Sequence, residues 1–397
     1  MTAIKDAVHD HVPVDGIARE LLDVPVLQRL RHVRQLSTVA LVYPSANHTR
    51  FEHSLGVYHL ADRALSHLDV DGPRAEHVRA AALLHDVGHG PFGHQTEHVI
   101  ERRTGRHHDE VEHLLTSGAV ASRLDDHGLD PARVAALVAG DGRLGGLVSG
   151  ALDVDRMDYL ARDAHHTGVP YGTVDHGRLV RALRLRDDGL ALADGDLRTA
   201  ESLLLARTLM NATVYTHHVS RIAGAMLDRA SERLLDATDL DAGRFARLHD
   251  YELLARLQDC DETRDLGLRL EGRNLYKRAI WAPTDAVPSH LVGPEYDRVR
   301  ELERAIADDA GTEPESVIVD APSTPSMPEA DVRVIVDGKA RRLDRVSPLV
   351  EALDGAERAR WRLGVYAPAS VADAVGQSAE RILGLEIGER RVRDPME

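Results

Sequence analysis

The sequence predicts a mainly α-helical protein, with a small β-hairpin insertion and a smaller α+β lobe at its C-terminal end. Three observations carry this. Apolar residues recur at helical spacing through most of the first 270 positions, the segment LRLRDDGLALADG (183–195) alternates apolar and polar residues, and after about residue 270 short β-like runs appear among the helical ones. The expected division is a helical domain over 1–270 and an α+β lobe over 271–397.

In chain order, IARELLDVPVLQRLRHVRQL (17–36) places Leu, Val and Ile on a helical period, with Pro25 suited to the first turn of a second helix. Helical patterns follow at Glu52 to Leu68, Arg74 to His85, His94 to Arg103, Asp109 to Thr116, Pro131 to Val138 and Arg156 to Asp163. Ser202 to Leu235 reads as one long helix. The alternation at 183–195 turns at Asp188-Gly189, a hairpin signal. Beyond 270, Arg278 to Ala282, Ser316 to Asp320, Val332 to Val336 and Leu363 to Ala367 read as strands and Tyr296 to Ala310 as a helix. APSTPSMP (321–328) reads as an exposed loop or hinge.

Composition excludes several classes. No stretch of 18 or more apolar residues occurs, so no membrane span is expected, and the acid- and histidine-bearing start lacks a secretory h-region. A single cysteine, Cys260, excludes an intramolecular disulfide and a cysteine-based zinc site. A soluble, cytoplasmic protein is the expectation. Formal net charge is −16, but 23 histidines, about half of them protonated near pH 6, bring the pI up to about 5.8. Lysine occurs only at 5, 277 and 339. A salt-rich, halophilic cytoplasm favours such an acidic, lysine-poor surface; a GC-rich genome that writes Arg and Asp in place of Lys gives the same composition. Nucleic-acid binding is not expected, because backbone affinity comes from Lys and Arg neutralising phosphates.

The chemistry concentrates in AALLHDVGHGPFGH (81–94). A small and apolar run ends in His85-Asp86, and three glycines and a proline follow within eight residues. A helix that ends in two metal-type ligands and opens into glycine turns presents them at a cavity. Imidazole with carboxylate suits Mn, Fe, Co, Ni or Zn and extends to Mg. If the helix runs on, His89 points to the same side as His85. A lone His-Asp pair at a helix end is more often a cap; three histidines within ten residues beside glycines favour a site. HTRFEHSLGV (48–57) adds His53, and LDVDRMDYLARDAHH (152–166) adds Asp153 or Asp155, between which spacing does not choose. The acids also fit helix capping, and the missing glycine and terminal Glu exclude an EF-hand. Four such ligands leave room for water and phosphate oxygens, as catalysis requires.

The order His…His-Asp…Asp resembles the HD-domain phosphohydrolase superfamily, and so implies a multi-helix HD-domain bundle. LQRLRHVRQL, NHTRFEHSLGVYHLA, LLHDVGHGPFGH and DVDRMDYLARDAHHTG look like its deoxynucleoside-triphosphate triphosphohydrolase group, which includes the sterile-alpha-motif HD enzyme. The likeness continues at NLYKRA (274–279) and VIVDAPSTPS (317–326), so it covers nearly the whole chain. It implies hydrolysis of a dNTP to deoxynucleoside and tripolyphosphate with a divalent metal held by His53, His85, Asp86 and Asp155. It further implies His89, His94 and His108 lining the phosphate pocket, with Asp109 behind His108 as general acid. Arg50, Arg156, Tyr159 and Arg207 are then the phosphate contacts, and Gln35, Leu36, Asp163 and Tyr215 the sugar contacts. Asp109 and Arg156 depart from the family pattern, which commonly has Glu and Lys there. Relatives are usually oligomers, so a homo-oligomer, dimer or tetramer, is expected. Asp23, Gln28 and Arg31 match positions that hold an effector nucleotide in some relatives, although capping and solvating a helix explains them equally. Two alternatives remain: another HD phosphoester hydrolase, acting on monophosphates, cyclic nucleotides or a dinucleotide, and a nucleotide-binding sensor with little turnover. No P-loop pattern occurs, so energy-coupled γ-phosphate chemistry is not expected.

Overall fold

The computed structural model describes residues 2–187 and 189–387 and is mainly α-helical with small sheets. The chain folds into two compact units. The first takes residues up to Tyr215, Asp239–Leu253 and Pro328–Glu351; the second takes Thr216–Thr238, Leu254–Met327 and the segment from Ala352. Set beside the single boundary expected at 270/271, the chain passes between units several times.

The first unit is built on three long helices: Arg50–His67 packs against both Gly72–Leu84 and Val154–Thr167, and Gly72–Leu84 also against the shorter Pro131–Val138. Arg50–His67 starts where Glu52 Oε2 accepts the Thr49 amide at 2.5 Å, a capping box that fixes the first turn. Val154–Thr167 starts at Asp153, whose carboxylate accepts the Gly150 and Arg156 amides at 2.9 and 2.8 Å. Asp153 is therefore an N-cap, and Asp155 is the acid of the pair that points onward. The helix before the His-Asp pair does not run on: it stops at Leu84, a 3-10 turn takes His85–Gly88, and His89 is extended (φ −61°, ψ 137°).

An antiparallel hairpin with no counterpart among the expected elements, Thr2–Asp6 with Asp10–Val14, opens the unit. The 183–195 hairpin forms as Leu183–Arg186 with Gly189–Leu192; Asp188, its expected turn residue, lies outside the described residues. Through a parallel bridge, Leu192 to Val334, it joins the Arg333–Val336/Lys339–Arg342 hairpin in a four-stranded sheet. This pairing explains why Pro328–Glu351 leaves the C-terminal lobe for the first unit.

The long helix expected over Ser202 to Leu235 is corrected. Leu197–Met210 is α-helical, Asn211–Tyr215 widens into a π turn, and a separate helix runs from His218 to Ala237. Apolar periodicity passes through the break because both flanking helices bury one face.

In the second unit, Lys277–Pro283, Arg362–Ala367 and Ile318–Asp320 form an antiparallel sheet with Arg362–Ala367 in the centre. Every residue of that central strand is buried. Helices Tyr296–Ala310 and Ala372–Leu383 complete its core through Ile306, Val375 and Ala379. Arg229 clasps the buried Glu303 with two bonds of 2.8 and 2.7 Å, and Glu303 also accepts the Val319 amide at 2.9 Å.

Arg300 also pairs with Glu303 but is partly exposed, so removing Arg229 takes away the two buried bonds and leaves the carboxylate under-paired. Arg229→Met is expected to cost about 3 kcal/mol or more in urea unfolding, and the double change Arg229→Met/Glu303→Met to recover most of that loss. Equal losses in the single and double variants would show that the pair does not act as a pair.

Candidate active site

The HD residues converge in the first unit. His53 lies in the first turn of Arg50–His67, His85 and Asp86 open the 3-10 turn, and Asp155 lies in the first turn of Val154–Thr167. His53 Nε2 is 2.8 Å from Asp155 Oδ1 and 4.0 Å from Asp86 Oδ2. His85 Nε2 is 3.2 Å from His53 Nε2, 3.5 Å from Asp86 Oδ1 and 3.7 Å from Asp155 Oδ1. The far ring nitrogens are both tied down, His53 Nδ1 to Asp158 Oδ2 at 2.7 Å and His85 Nδ1 to the Ala82 carbonyl at 2.9 Å. With Nδ1–H donating outward, both Nε2 lone pairs face inward between two carboxylates. That donor set fits a divalent cation.

The charges agree. Burial opposes protonation of His53, but its hydrogen bonds to the Asp155 and Asp158 carboxylates outweigh it and lift the imidazole to about 10. Burial likewise opposes ionisation of Asp86, but Arg50 and the imidazoles beside it hold it well below the usual carboxylate range. The group draws positive charge to itself, which a metal ion would supply in place of protons.

Behind His53 lies a layer that sequence reasoning missed. Asp158 accepts from Arg162 Nε and Nη2 at 2.9 and 3.0 Å and faces His9 Nε2 at 2.6 Å; Arg162 in turn reaches Asp6 at 2.9 Å. His9 and Asp6 come from the N-terminal hairpin. The one signal available was the i,i+4 spacing of Asp158 and Arg162, which puts both on one helix face.

On the other side of Asp86, Arg50 Nη1 donates to Asp86 Oδ2 at 2.9 Å, while its buried Nε and Nη2 have no partner among the described residues. Gly93 (φ +51°) makes room, since a Cβ there would overlap the guanidinium. His89 Nε2 is 3.3 Å from Asp86 Oδ1, and its buried Nδ1 is also without a partner among the described residues. The free Arg50 nitrogens suit anionic oxygens. His89 stacks on His108 at 3.9 Å between centroids, with His94 edge-on to both at 4.6 and 5.1 Å. Gly88 sets that spacing, because a Cβ would collide with the His108 carbonyl.

His108 is held by Asp109, its Nε2 lying 2.9 Å from Oδ1, and also by a short hydrogen bond from Nδ1 to Glu97. Glu97 is the second residue missed: it lies one turn after His94, whose Nδ1 it also engages at 2.8 Å. Burial disfavours the His108 imidazolium, but Asp109 and Glu97 raise it to about 9. Burial, assisted by Arg50 and His108, keeps His89 well below the ordinary histidine value. The stack therefore pairs a cationic His108 with a neutral His89.

The remaining predicted residues are brought together less completely. Asp163 accepts from Tyr215 Oη at 2.8 Å and faces His48 Nε2 at 2.9 Å, and the Tyr215 ring lies 6.2 Å from that of Tyr159. Burial and Asp163 raise the Tyr215 hydroxyl, against the charge of Arg207. Gln35 links to this group through its amide, which donates to the His48 carbonyl at 3.0 Å; its buried Oε1 has no partner among the described residues, and Leu36 beside it is buried. Arg156 Nη1 donates to the Gly150 and Ala151 carbonyls at 2.9 and 3.0 Å, so it braces the turn before its own helix. Of the expected effector residues, Gln28 donates to the Leu22 carbonyl at 2.7 Å and accepts from Arg31 at 2.8 Å; Arg31 lies over the Phe51 ring, and Asp23 is exposed.

The 246–250 segment braces the glycine loop. Arg29 donates to the carbonyls of His89, Ala246, Arg247 and Leu248, and Asp250 accepts the Phe92 amide at 2.7 Å.

Comparison with known proteins bears on this arrangement. Residues 50–163 match the HD domain and residues 174–394 match the HD associated region. An uncharacterized protein of Methanocaldococcus jannaschii is 33% identical, over 93% of this chain and 79% of its own length. A deoxynucleoside triphosphate triphosphohydrolase SAMHD1 homolog of Dictyostelium discoideum is 31% identical over 69% of this chain, which spans 59% of that protein. The crystal structure of a phosphohydrolase from Bacteroides thetaiotaomicron superposes with a TM-score of 0.75 at 25% identity, over 93% of this chain and all of that one. With His53, His85, Asp86 and Asp155 brought together and both family regions matched, the chain belongs to the HD-domain phosphohydrolases and resembles their SAMHD1 group.

Proposed function

We propose that this hydrolase splits a deoxynucleoside triphosphate into deoxynucleoside and tripolyphosphate at the His53–His85–Asp86–Asp155 centre. The observation that carries the reading is the position of Asp86. It faces the two metal-type histidines on one side and, on the other, an arginine and a histidine with buried nitrogens that have no partner among the described residues. A metal and a phosphate chain would thus share one carboxylate. The activity for which the Dictyostelium relative is named supports the substrate class.

His53, His85, Asp86 and Asp155 would hold a divalent ion of the Mn, Mg, Fe, Co, Ni or Zn class. When bound, it supplies Lewis acidity and a more acidic water for attack on the α-phosphorus. Arg50 takes phosphate oxygens through Nε and Nη2, and His89, neutral with its Nε2–H turned to Asp86, lines the phosphate pocket. His108, protonated through the neutral range, gives its proton to the departing 5′-oxygen, with Glu97 and Asp109 setting the ring. His94 keeps Glu97 in place. Tyr159 and Arg207 hold the phosphate chain, Asp163 and Tyr215 face the sugar, and Leu36 with Gln35 forms the wall that tests for a 2′-hydroxyl. In the arrangement seen, Arg156 orders the turn that delivers Asp155; a phosphate contact requires it to leave the Gly150 and Ala151 carbonyls.

The test is incubation with each dNTP and rNTP in Mn, Mg, Co or Ni at low and molar salt, with products separated by ion exchange. Deoxynucleoside and tripolyphosphate are expected, and are lost in Asp86→Ala. Inorganic phosphate instead points to another HD phosphoester hydrolase, and no turnover under any condition leaves a nucleotide-binding sensor. Homo-oligomer formation and an effector nucleotide at Asp23, Gln28 and Arg31 are tested together: GTP or a dNTP is expected to raise the solution mass, and constant mass across the panel removes the effector.

Two further outcomes follow. His108→Gln is expected to lower kcat by about 10²–10⁴. Because the folded value of His108 lies above its unfolded one, the stability it contributes is full below about 6.5 and lost as pH rises through about 9. Wild-type kcat is expected to fall over the upper part of that window, and a flat profile to pH 10 would remove His108 as the acid.

His9→Ala unseats Asp158 behind His53 and is expected to weaken metal binding about 10–100-fold by equilibrium dialysis. Unchanged affinity would separate the hairpin from the metal ligands.

A further inference from the structure

We propose a second metal site, of the zinc class, formed by Glu97, His107 and His108, whose occupancy disables the first. His107 belongs to no step described so far, yet it is gripped in the same way as His108. Glu97 Oε1 lies 3.1 Å from His107 Nε2 and hydrogen-bonds His108 Nδ1. The opposite edge of each ring rests on one carboxylate: Asp109 Oδ2 is 3.3 Å from His107 Nδ1, and Asp109 Oδ1 is 2.9 Å from His108 Nε2.

One donor atom from each of Glu97, His107 and His108 lies within 4.8 Å of the other two. Orienting His108 for proton donation needs Glu97 and Asp109 but gives no role to a second ring between them. A metal ion gives it one. Carboxylates outside a coordination sphere fix the tautomer and direction of ligating histidines, and Asp109 would do this for both rings at once. Two imidazoles and a carboxylate form a three-ligand zinc set with a fourth position open to water. The side chain of His107 is 42% exposed, against 17% for His108 and 14% for Glu97. His107 lines a cleft with Thr104, Arg106 and Glu110, which gives an ion a way in.

This centre is separate from the His53 ligand set, with His89 stacked between His108 and Asp86. On binding zinc, His108 would release its Nδ1 proton to solvent, and the ring would be fixed by the metal. What remains is the Nε2–H of a neutral, metal-bound ring, held by Asp109, and that is a far weaker acid than the imidazolium. Inhibition in this form rests on the reading of His108 as general acid; the binding of zinc does not.

The experiment uses the full chain loaded with manganese. Zinc is added, bound metals are counted after equilibrium dialysis, and dNTP turnover is followed in the same samples. A zinc equivalent bound without loss of manganese, with turnover falling in step, is the expected result. His107→Ala and His107→Gln are expected to keep manganese and basal turnover, to lose that zinc equivalent, and to shift the inhibition midpoint about 10–100-fold. Zinc that only displaces manganese, or that binds both variants as it binds the wild type, overturns the site. Zinc bound through His107 with turnover intact overturns the inhibition and the acid role of His108 while leaving the metal site standing. A protein with no dNTP turnover at all fails the functional reading alone, since metal counting still decides the site.

Discussion

The first unit is organised around one buried carboxylate. Asp86 meets His85 and His53 on one side and Arg50 and His89 on the other. An ionised carboxylate inside a protein is costly unless it is paired and hydrogen-bonded. The 3-10 turn at His85–Gly88, the glycine at 93 that admits the Arg50 guanidinium, and the arginine at 29 that holds the His89 carbonyl all keep that pairing in place. Two imidazoles suited to a cation and two groups with buried, unpartnered nitrogens then lie on the two sides of one side chain, among the described residues.

Charge in this unit is layered. Arg162 and His9 sit behind Asp158, Asp158 behind His53, and the two metal-facing carboxylates in front of it. Each group is stabilised by a neighbour of opposite sign, which is how so many ionisable side chains remain buried together. The N-terminal hairpin supplies the outermost members, Asp6 and His9, so a peripheral element is tied to the placing of His53 through Asp158. In a chain of net charge −16, local positive potential beside Asp86 comes from a few buried cations, Arg50 and His108 among them.

The histidine stack of His89, His94 and His108 separates identical residues into different roles. Burial and neighbouring cations keep His89 neutral, whereas two carboxylates keep His108 charged. Glu97 is central to that difference. It reaches His94, His107 and His108 together, and so couples the stacked His108 ring to one that lines an open cleft.

Much of this was legible in the sequence because it is local. Helix periodicity placed Tyr296–Ala310 and Pro131–Val138 at their observed limits, and the clustering of His85, Asp86 and His89 among glycines marked the turn to which His53 and Asp155 are brought. Motif likeness brought in His53 and Asp155, more than thirty and almost seventy residues away in the chain. Spacing did not separate Asp153 from Asp155; the amides that Asp153 caps did. Only the tertiary structure could show Asp158, Arg162, His9 and Glu97 as supports, since each acts by facing a side chain from another turn or another element. It alone broke the Ser202 to Leu235 run at a π turn, because an amphipathic pattern continues through a change of helix that leaves the buried face buried. It also carried Arg333–Val336 across to the 183–192 hairpin. The sequence by itself determined which residue types could do chemistry and which segments were helical, through local periodicity and composition. Which of those residues face one another was decided by long-range packing, where burial of charge admits few arrangements.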